Sequence, residues 1–275
     1  MRNSVVHLTG GLGNQLFGAF FGLNLGKTLN SRVDLNKFGL EKRGYQLSAF
    51  ENFLGPSISI INEPPVKLNK VELQIDKIQK RYYFEKGFQY NSSVFLKPYK
   101  EYFGYFQSWK YIEESKTLIR DIFRELFKNL HSEGRYSSFL ESPYIAVHVR
   151  RGDYVNLTQY HGLTTRKYFE NALMTISNKH NSKFKIIVFS DDIIDARKVV
   201  PGADFYVGSS EVESNLDNLL LMGNSEYFIG SNSSFSWWAA YTKEREFTIF
   251  PRPWFQIRDL DTSDLLPNSW LTLGI

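Results

Sequence analysis

The chain has 275 residues, of which 42% are hydrophobic, 16% aromatic and 23% charged, with only 9 prolines; disordered and collagen-like chains are excluded, and the length suits two compact lobes or one large α/β unit. Zero cysteines remove disulfide frameworks, thiolate zinc sites and cysteine nucleophiles. The 33 basic and 29 acidic residues leave +4 and a pI near 9.0, a mild excess without a lysine-arginine block, which suits a small anionic ligand and speaks against nucleic acid.

Met1 to Thr9 lacks the apolar core and cleavage site of a signal peptide, and the longest apolar stretch, Leu16 to Leu25, falls far short of the roughly 18 to 20 residues of a membrane span. A cytoplasmic chain with no transmembrane segment is expected, with peripheral attachment at the inner membrane face as the remaining membrane role. Ser4 to Leu8 reads as a strand, Gly10-Gly11-Leu12-Gly13 as a turn and Asn14 to Leu29 as a helix. Gly18, Gly22 and Gly26 bare one helix face, so that its backbone can approach a sheet closely. Leu16 stands where a dinucleotide fingerprint needs its third glycine, and no P-loop lysine follows. Asn14 and Gln15 open the helix beyond a strand, where an amide either caps the helix or reaches a ligand hydroxyl.

Residues 30 to 100 are weakly patterned. They hold aromatic segments at Arg81 to Phe84 and Val94 to Leu96, a turn at Glu63-Pro64-Pro65 and an amphipathic stretch near Val71 to Ile78. After the aromatic run Tyr102 to Trp109, apolar residues from Ile112 to Leu130 keep a helical period. The polar stretch His131 to Ser138 predicts the lobe boundary, giving an N-terminal lobe 1–135 on the acceptor side and a C-terminal lobe 136–275.

Beyond it strands and helices alternate: strands Tyr144 to Val149, Lys185 to Phe189, Phe205 to Val207, Tyr227 to Ile229 and Phe247 to Phe250, with helices near Thr165 to Asn178, from Asp192, near Ser214 to Met222 and near Phe235 to Thr242. Continuous apolar strands such as Ile186-Ile187-Val188-Phe189 predict a doubly wound parallel sheet covered on both faces.

Ligands of such sheets bind beyond the carboxyl ends of the strands. His148, Arg150, Arg151, Gly152 and Asp153 follow the first strand, Ser190, Asp191 and Asp192 the second, Gly208, Ser209 and Ser210 the third, and Gly230, Ser231, Asn232, Ser233 and Ser234 the fourth. A twin arginine on a tight turn suits a diphosphate, although both could instead pair with Asp153 and Asp191 as an ordinary salt-bridge cluster. The serine-rich turn at a helix start offers backbone N–H groups to an anion, or is a plain cap. Phe235, Trp237, Trp238 and Tyr241 could line a sugar pocket, though an aromatic helix face is more often core. Asp259-Leu260-Asp261 has the spacing of a metal-dependent sugar transferase, but no strand precedes it.

Five ordered blocks, Gly10 to Phe17, Gly104 to Ser108, His148 to Tyr154, Phe189 to Asp192 and Asn232 to Trp238, resemble the bacterial α-1,2-fucosyltransferases of glycosyltransferase family 11. The resemblance implies a two-lobed α/β fold of GT-B type with Rossmann-like lobes. It also implies GDP-fucose as donor, inversion at the anomeric carbon, a galactose-terminated oligosaccharide or lipid-linked glycan as acceptor, and no metal or other cofactor. It assigns Arg150, supported by Arg151, to the charge developing on GDP, and His148 with the Ser233-Ser234 turn, flanked by Asn232 and Phe235, to the phosphates. Asp191 or Asp192 would orient guanine or ribose, Asn14 would face the fucose, and Asp153 is the candidate base. Gly18 to Phe20, Ala239 and Tyr241 depart from the commoner family residues and bear on the acceptor. The competing readings are a related GDP-sugar transferase of different donor or linkage and a non-catalytic GDP-sugar or glycan-binding protein.

Overall fold

The computed structural model describes residues 3–40, 44–65, 81–132, 134, 136–140, 142–180, 183–208, 212–257 and 260–275. The amphipathic stretch near Val71 to Ile78, Ser209, Ser210 and Asp259 lie outside them, as does the side chain of Asp153. The chain forms two compact units, Met1–Thr117 with Asp261–Leu266, and Leu118–Leu260 with Pro267–Ile275.

In the first unit β1 (Ser4–His7), β2 (Val33–Asn36), β3 (Ile58–Ile61), β4 (Tyr82–Phe84) and β5 (Glu101–Phe103) form one parallel sheet in the order β3-β2-β1-β5-β4. Helix α1 (Leu12–Leu29) covers the face that carries Val6, Val33 and Leu35. Its glycine face makes the expected close approach: a Cβ on Gly18 would stand 2.9 Å from Leu8 Cδ2, and one on Gly22 would stand 2.8 Å from Leu35 Cδ2. A helix buried on almost every side, as this one is from Leu12 to Gly26, needs no polar stripe and shows no amphipathic period.

In the second unit β6 (Tyr144–Val149), β7 (Lys185–Ser190), β8 (Phe205–Val207), β9 (Tyr227–Ile229), β10 (Thr248–Arg252) and β11 (Leu271–Gly274) form a parallel sheet ordered β11-β10-β9-β6-β7-β8. Numbered within the unit, that order is 3-2-1-4-5-6, the doubly wound arrangement of dinucleotide folds. All six residues of β6 are buried, as a strand covered on both faces must be. Between the strands lie α2 (Lys116–Ser132), which precedes β6, the short α3 (Ser137–Leu140), α4 (Arg166–Ser177), α5 (Ile193–Val199), α6 (Asn215–Asn224) and α7 (Ser234–Tyr241). Thr165, Asp192 and Ser214 cap α4, α5 and α6 with side-chain oxygens, and the core gathers Val147, Phe169, Ile176, Val188 and Ile229.

The units part at Thr117/Leu118 rather than in the polar stretch His131 to Ser138. The apolar face of α2 explains the difference: Ile119, Ile122 and Phe123 are buried in the second unit, where Phe123 stacks 6.2 Å from Trp238, so the polar stretch ends a helix and not a lobe. The segment Asp261–Leu266 returns to the first unit, where Asp264 accepts from the Tyr90 N–H at 2.8 Å and pairs with Lys110 at 2.5 Å.

Candidate active site

In the second unit the order of the strands reverses between β6 and β9, so the crevice for a ligand lies beyond their carboxyl ends. Ser231, after β9, fastens the two ends: its Oγ donates to the His148 carbonyl at 2.6 Å and accepts from the Arg150 N–H at 3.1 Å. Ser190, the last residue of β7, donates to the Val149 carbonyl at 2.7 Å. Hydroxyls thus take up backbone groups where the ladder ends, and the Arg150 turn is held from both neighbouring strands.

The two arginines divide. Arg151 is 3% exposed; its Nε bonds the Asp195 carboxylate, Nη1 donates to the Arg150 carbonyl at 3.0 Å and the Thr164 hydroxyl at 3.3 Å, and Nη2 donates to the Thr164 carbonyl at 2.8 Å. Arg150 keeps 27% exposure, pairs through Nη1 with Asp191 Oδ2 at 2.7 Å and lies over the Tyr154 ring at 5.4 Å. Asp191 also accepts from the Arg151 N–H at 2.8 Å. It is set against Gly152, where a Cβ would stand 2.4 Å from Oδ2, so this close approach needs glycine. The salt-bridge alternative is therefore present in part, with Asp191 and Asp195 as partners.

His148 is buried, with Nδ1 2.8 Å from Ser236 Oγ. Burial, and then the neighbouring Arg150 charge, pull its pKa from 6.5 to about 3, so at neutral pH it offers a phosphate only an uncharged ring. Asp192 caps α5, accepting from the Asp195 N–H at 3.0 Å. Asn232, 1% exposed, is turned inward: Nδ2 donates to the Gly162 and Trp254 carbonyls, each at 2.9 Å. Its side-chain amide is thus a strut between two loops. Ser233 precedes α7 without a side-chain cap bond, and Ser234 and Phe235 open the helix partly exposed. The first turn of α7 leaves the N–H groups of Ser234, Phe235 and Ser236 without intrahelical partners, since the ladder begins with the Trp237 N–H on the Ser233 carbonyl at 2.9 Å. Trp237, Trp238, Ala239 and Tyr241 are buried, so this helix face is core and not a sugar pocket.

In the first unit Gln15 is fully buried and ties the turn, donating to the Gly10 and Gly44 carbonyls, each at 2.9 Å. Neither Gln15 nor Asn14 caps α1; Gly11 stands at the N-cap position. Asn14 remains partly exposed, packs over Gly10, whose φ is +67°, and accepts through Oδ1 from Gln107 Nε2 at 2.7 Å. Gln107 sits inside the Gly104 to Ser108 block and Ser236 inside the Asn232 to Trp238 block, which are the available signals for them; Thr164, just before α4, and Asp195, in α5, lie outside every such block. Among the described residues no three histidine, aspartate or glutamate side chains converge as a metal site, and Asp261 binds Gln89 and the Ser263 N–H.

A doubly wound parallel sheet with a part-exposed guanidinium and a serine-rich helix start at its strand-order reversal defines the class: an α/β protein of the kind whose ligands bind beyond the carboxyl ends of the strands. The profile of glycosyl transferase family 11 matches residues 6–256. The chain belongs to that family, and is a glycosyltransferase with the expected two-unit α/β fold of GT-B type. It is 30% identical to an α-1,2-colitosyltransferase of Escherichia coli over 98% of each chain. It is 29% identical to the galactoside 2-α-L-fucosyltransferase SEC1 of Bos taurus over 50% of this chain and 40% of the relative. The solved structure of the α-1,6-fucosyltransferase NodZ soaked with GDP-fucose, a protein also solved from Bradyrhizobium, matches at 14% identity with a TM-score of 0.49, covering 88% of this chain and 93% of NodZ. No helix among the described residues is long and apolar enough to cross a membrane.

Proposed function

We propose that the protein is a galactoside α-1,2-fucosyltransferase, transferring L-fucose from GDP-fucose to the 2-hydroxyl of a galactose-terminated oligosaccharide or lipid-linked glycan, with inversion and without a metal. The observation that carries the reading is the division of the twin arginine: Arg151 is buried among protein acceptors, whereas Arg150 is part-exposed at the strand-order reversal with Asp191 holding its direction.

In this reaction the acceptor oxygen forms a bond to the anomeric carbon of fucose as the bond from that carbon to the phosphate oxygen breaks, and the electron pair leaves with GDP. Arg150 neutralises the charge that develops on the departing diphosphate, a contribution that is largest in the transition state. Arg151 keeps the turn in place. The orphan N–H groups at the start of α7, with the positive end of its dipole, make a second phosphate contact. His148 joins them as a neutral ring, and the remaining acceptor capacity of Asp191 and Asp192 serves guanine or ribose hydroxyls. Asn14, oriented by Gln107, addresses the fucose hydroxyls. The acceptor proton passes to a base, for which Asp153 is proposed from its place in the turn.

The colitosyltransferase relative, aligned over nearly the whole chain, favours a second reading in which the donor is GDP-colitose. Incubation with each GDP-sugar, a panel of galactosides and excess chelator distinguishes the two by GDP release and product linkage. The primary reading expects a fucosyl α-1,2 product undiminished by chelator. A product only from GDP-colitose installs the second reading, and loss of activity in chelator overturns the metal-free step.

A further inference from the structure

Glu85 follows β4 at the edge of the first unit's sheet and reaches over the loop that leaves β5. Its Oε2 accepts two successive backbone N–H groups, from Tyr105 at 2.7 Å and Phe106 at 2.8 Å. A Cβ on Gly104 would stand 2.5 Å from Glu85 Cβ and 2.6 Å from Oε2, so the carboxylate lies directly on backbone that only glycine leaves bare. Phe106 adopts φ +52° and stacks on Phe21 at 3.9 Å, turning the loop so that the next residue, Gln107, donates to Asn14 at 2.7 Å. One chain of contacts therefore joins the ends of β4, β5 and β1.

A carboxylate that merely held a turn would sit in water with both oxygens satisfied. Among the described residues the buried Oε1 of Glu85 has no hydrogen-bond partner and Glu85 forms no ion pair. A buried acceptor left unpaired is costly, so the arrangement is more expensive than loop capping requires. Burial lifts its pKa to about 7 against the opposing pull of the two N–H groups. Among the described residues the titratable groups bearing on it are the phenols of Tyr83, on β4 itself, and Tyr111, on the turn Trp109–Tyr111; both are raised above the usual tyrosine range, so neither changes charge near neutrality.

We propose that Glu85 is a positioning residue of the transfer reaction: through the Tyr105 and Phe106 amides it holds the loop Gly104 to Gln107 so that the Gln107 amide fixes Asn14 against the hydroxyls of the donor sugar. The proposal rests on the fucosyl-transfer reading above. Ionised Glu85 makes two charge-assisted bonds, which weaken when it takes up a proton, so the hold tightens as pH rises through about 7 and loosens as pH falls through it.

The test compares wild type with Glu85→Gln, Gln107→Ala and the double variant, reading kcat, the KM for GDP-fucose and the affinity for GDP across neutral pH. In wild type kcat falls on the acid side of about 7; in Glu85→Gln it is about tenfold lower on the alkaline side, the acid limb is absent, and GDP affinity changes by less than about twofold. The double variant loses no more than the larger single loss, because both act through one chain of contacts. Glu85→Gln with wild-type kcat and acid limb, or additive losses, overturns the proposal. If wild type transfers no fucose, the functional reading fails and Glu85 is judged by amide exchange alone. Protection of the Tyr105 and Phe106 N–H groups, corrected for intrinsic rates, then drops in wild type as pH falls through about 7 and stays level in Glu85→Gln; level protection in wild type overturns the hold.

Discussion

At the scale of single residues, Arg150 and Arg151 have the same chemistry and opposite surroundings. Arg151 satisfies the Thr164 carbonyl and hydroxyl, the Arg150 carbonyl and the Asp195 carboxylate from inside the protein. Arg151→Ala strands those acceptors and is expected to cost about 3 kcal/mol in denaturant unfolding, with Arg151→Lys recovering little because one ammonium cannot span four acceptors. A variant as stable as wild type would show that the buried fork is dispensable. His148 gives a prediction in pH. Its folded pKa of about 3 lies below the ordinary 6.5, so the unfolded chain takes up a proton before the folded one does, and stability is lost as pH falls from about 6.5 towards 3. Between about pH 6.5 and 5 this amounts to about 2 kcal/mol, and His148→Gln removes that share of the acid loss. Equal acid sensitivity of the two proteins in urea melts contradicts it.

At the scale of elements, the glycine face of α1 sets how closely the helix lies on the first sheet. Gly22 faces Leu35, Val33 and Val6 together, whereas a Cβ on Gly26 would meet the Ser31 carbonyl at 3.1 Å. Gly22→Val adds volume where a Cβ alone already stands 2.8 Å from Leu35, and should cost about 1 to 3 kcal/mol and lower the melting temperature. An unchanged melting temperature would mean that helix and sheet separate freely. In the second unit the position-setting elements are the strand ends: Ser231 and Ser190 stitch β6 to β9 and β7, and Tyr168 on α4 donates to the Gly230 carbonyl at 2.7 Å, so the turn at Arg150 stands on three strands and a helix.

At the scale of the whole molecule, the two units differ in how readable they are, for physical reasons. Strands buried on both faces are continuous apolar runs, and β6 and β9 fall where such runs predict them, as does the apolar edge strand β8, with Thr165, Asp192 and Ser214 marking the helix starts. In the first unit β4 and β5 are only three residues long, and β5 carries Glu101, paired with His7 at 2.8 Å, so no period is visible; β11 exists through its pairing with β10. Of the site, the positions after the strands could be seen, but not which way their side chains turn. Asn232 and Arg151 point inward, and Glu85 follows a short strand within the weakly patterned residues 30 to 100. The net charge of +4 is likewise less telling than the setting of one guanidinium. The most direct measurement is the turnover of Arg150→Ala on GDP-fucose and a galactoside, with its melting temperature recorded alongside. A fall of about 100- to 1000-fold in kcat at an unchanged melting temperature is predicted; turnover equal to wild type would contradict the account.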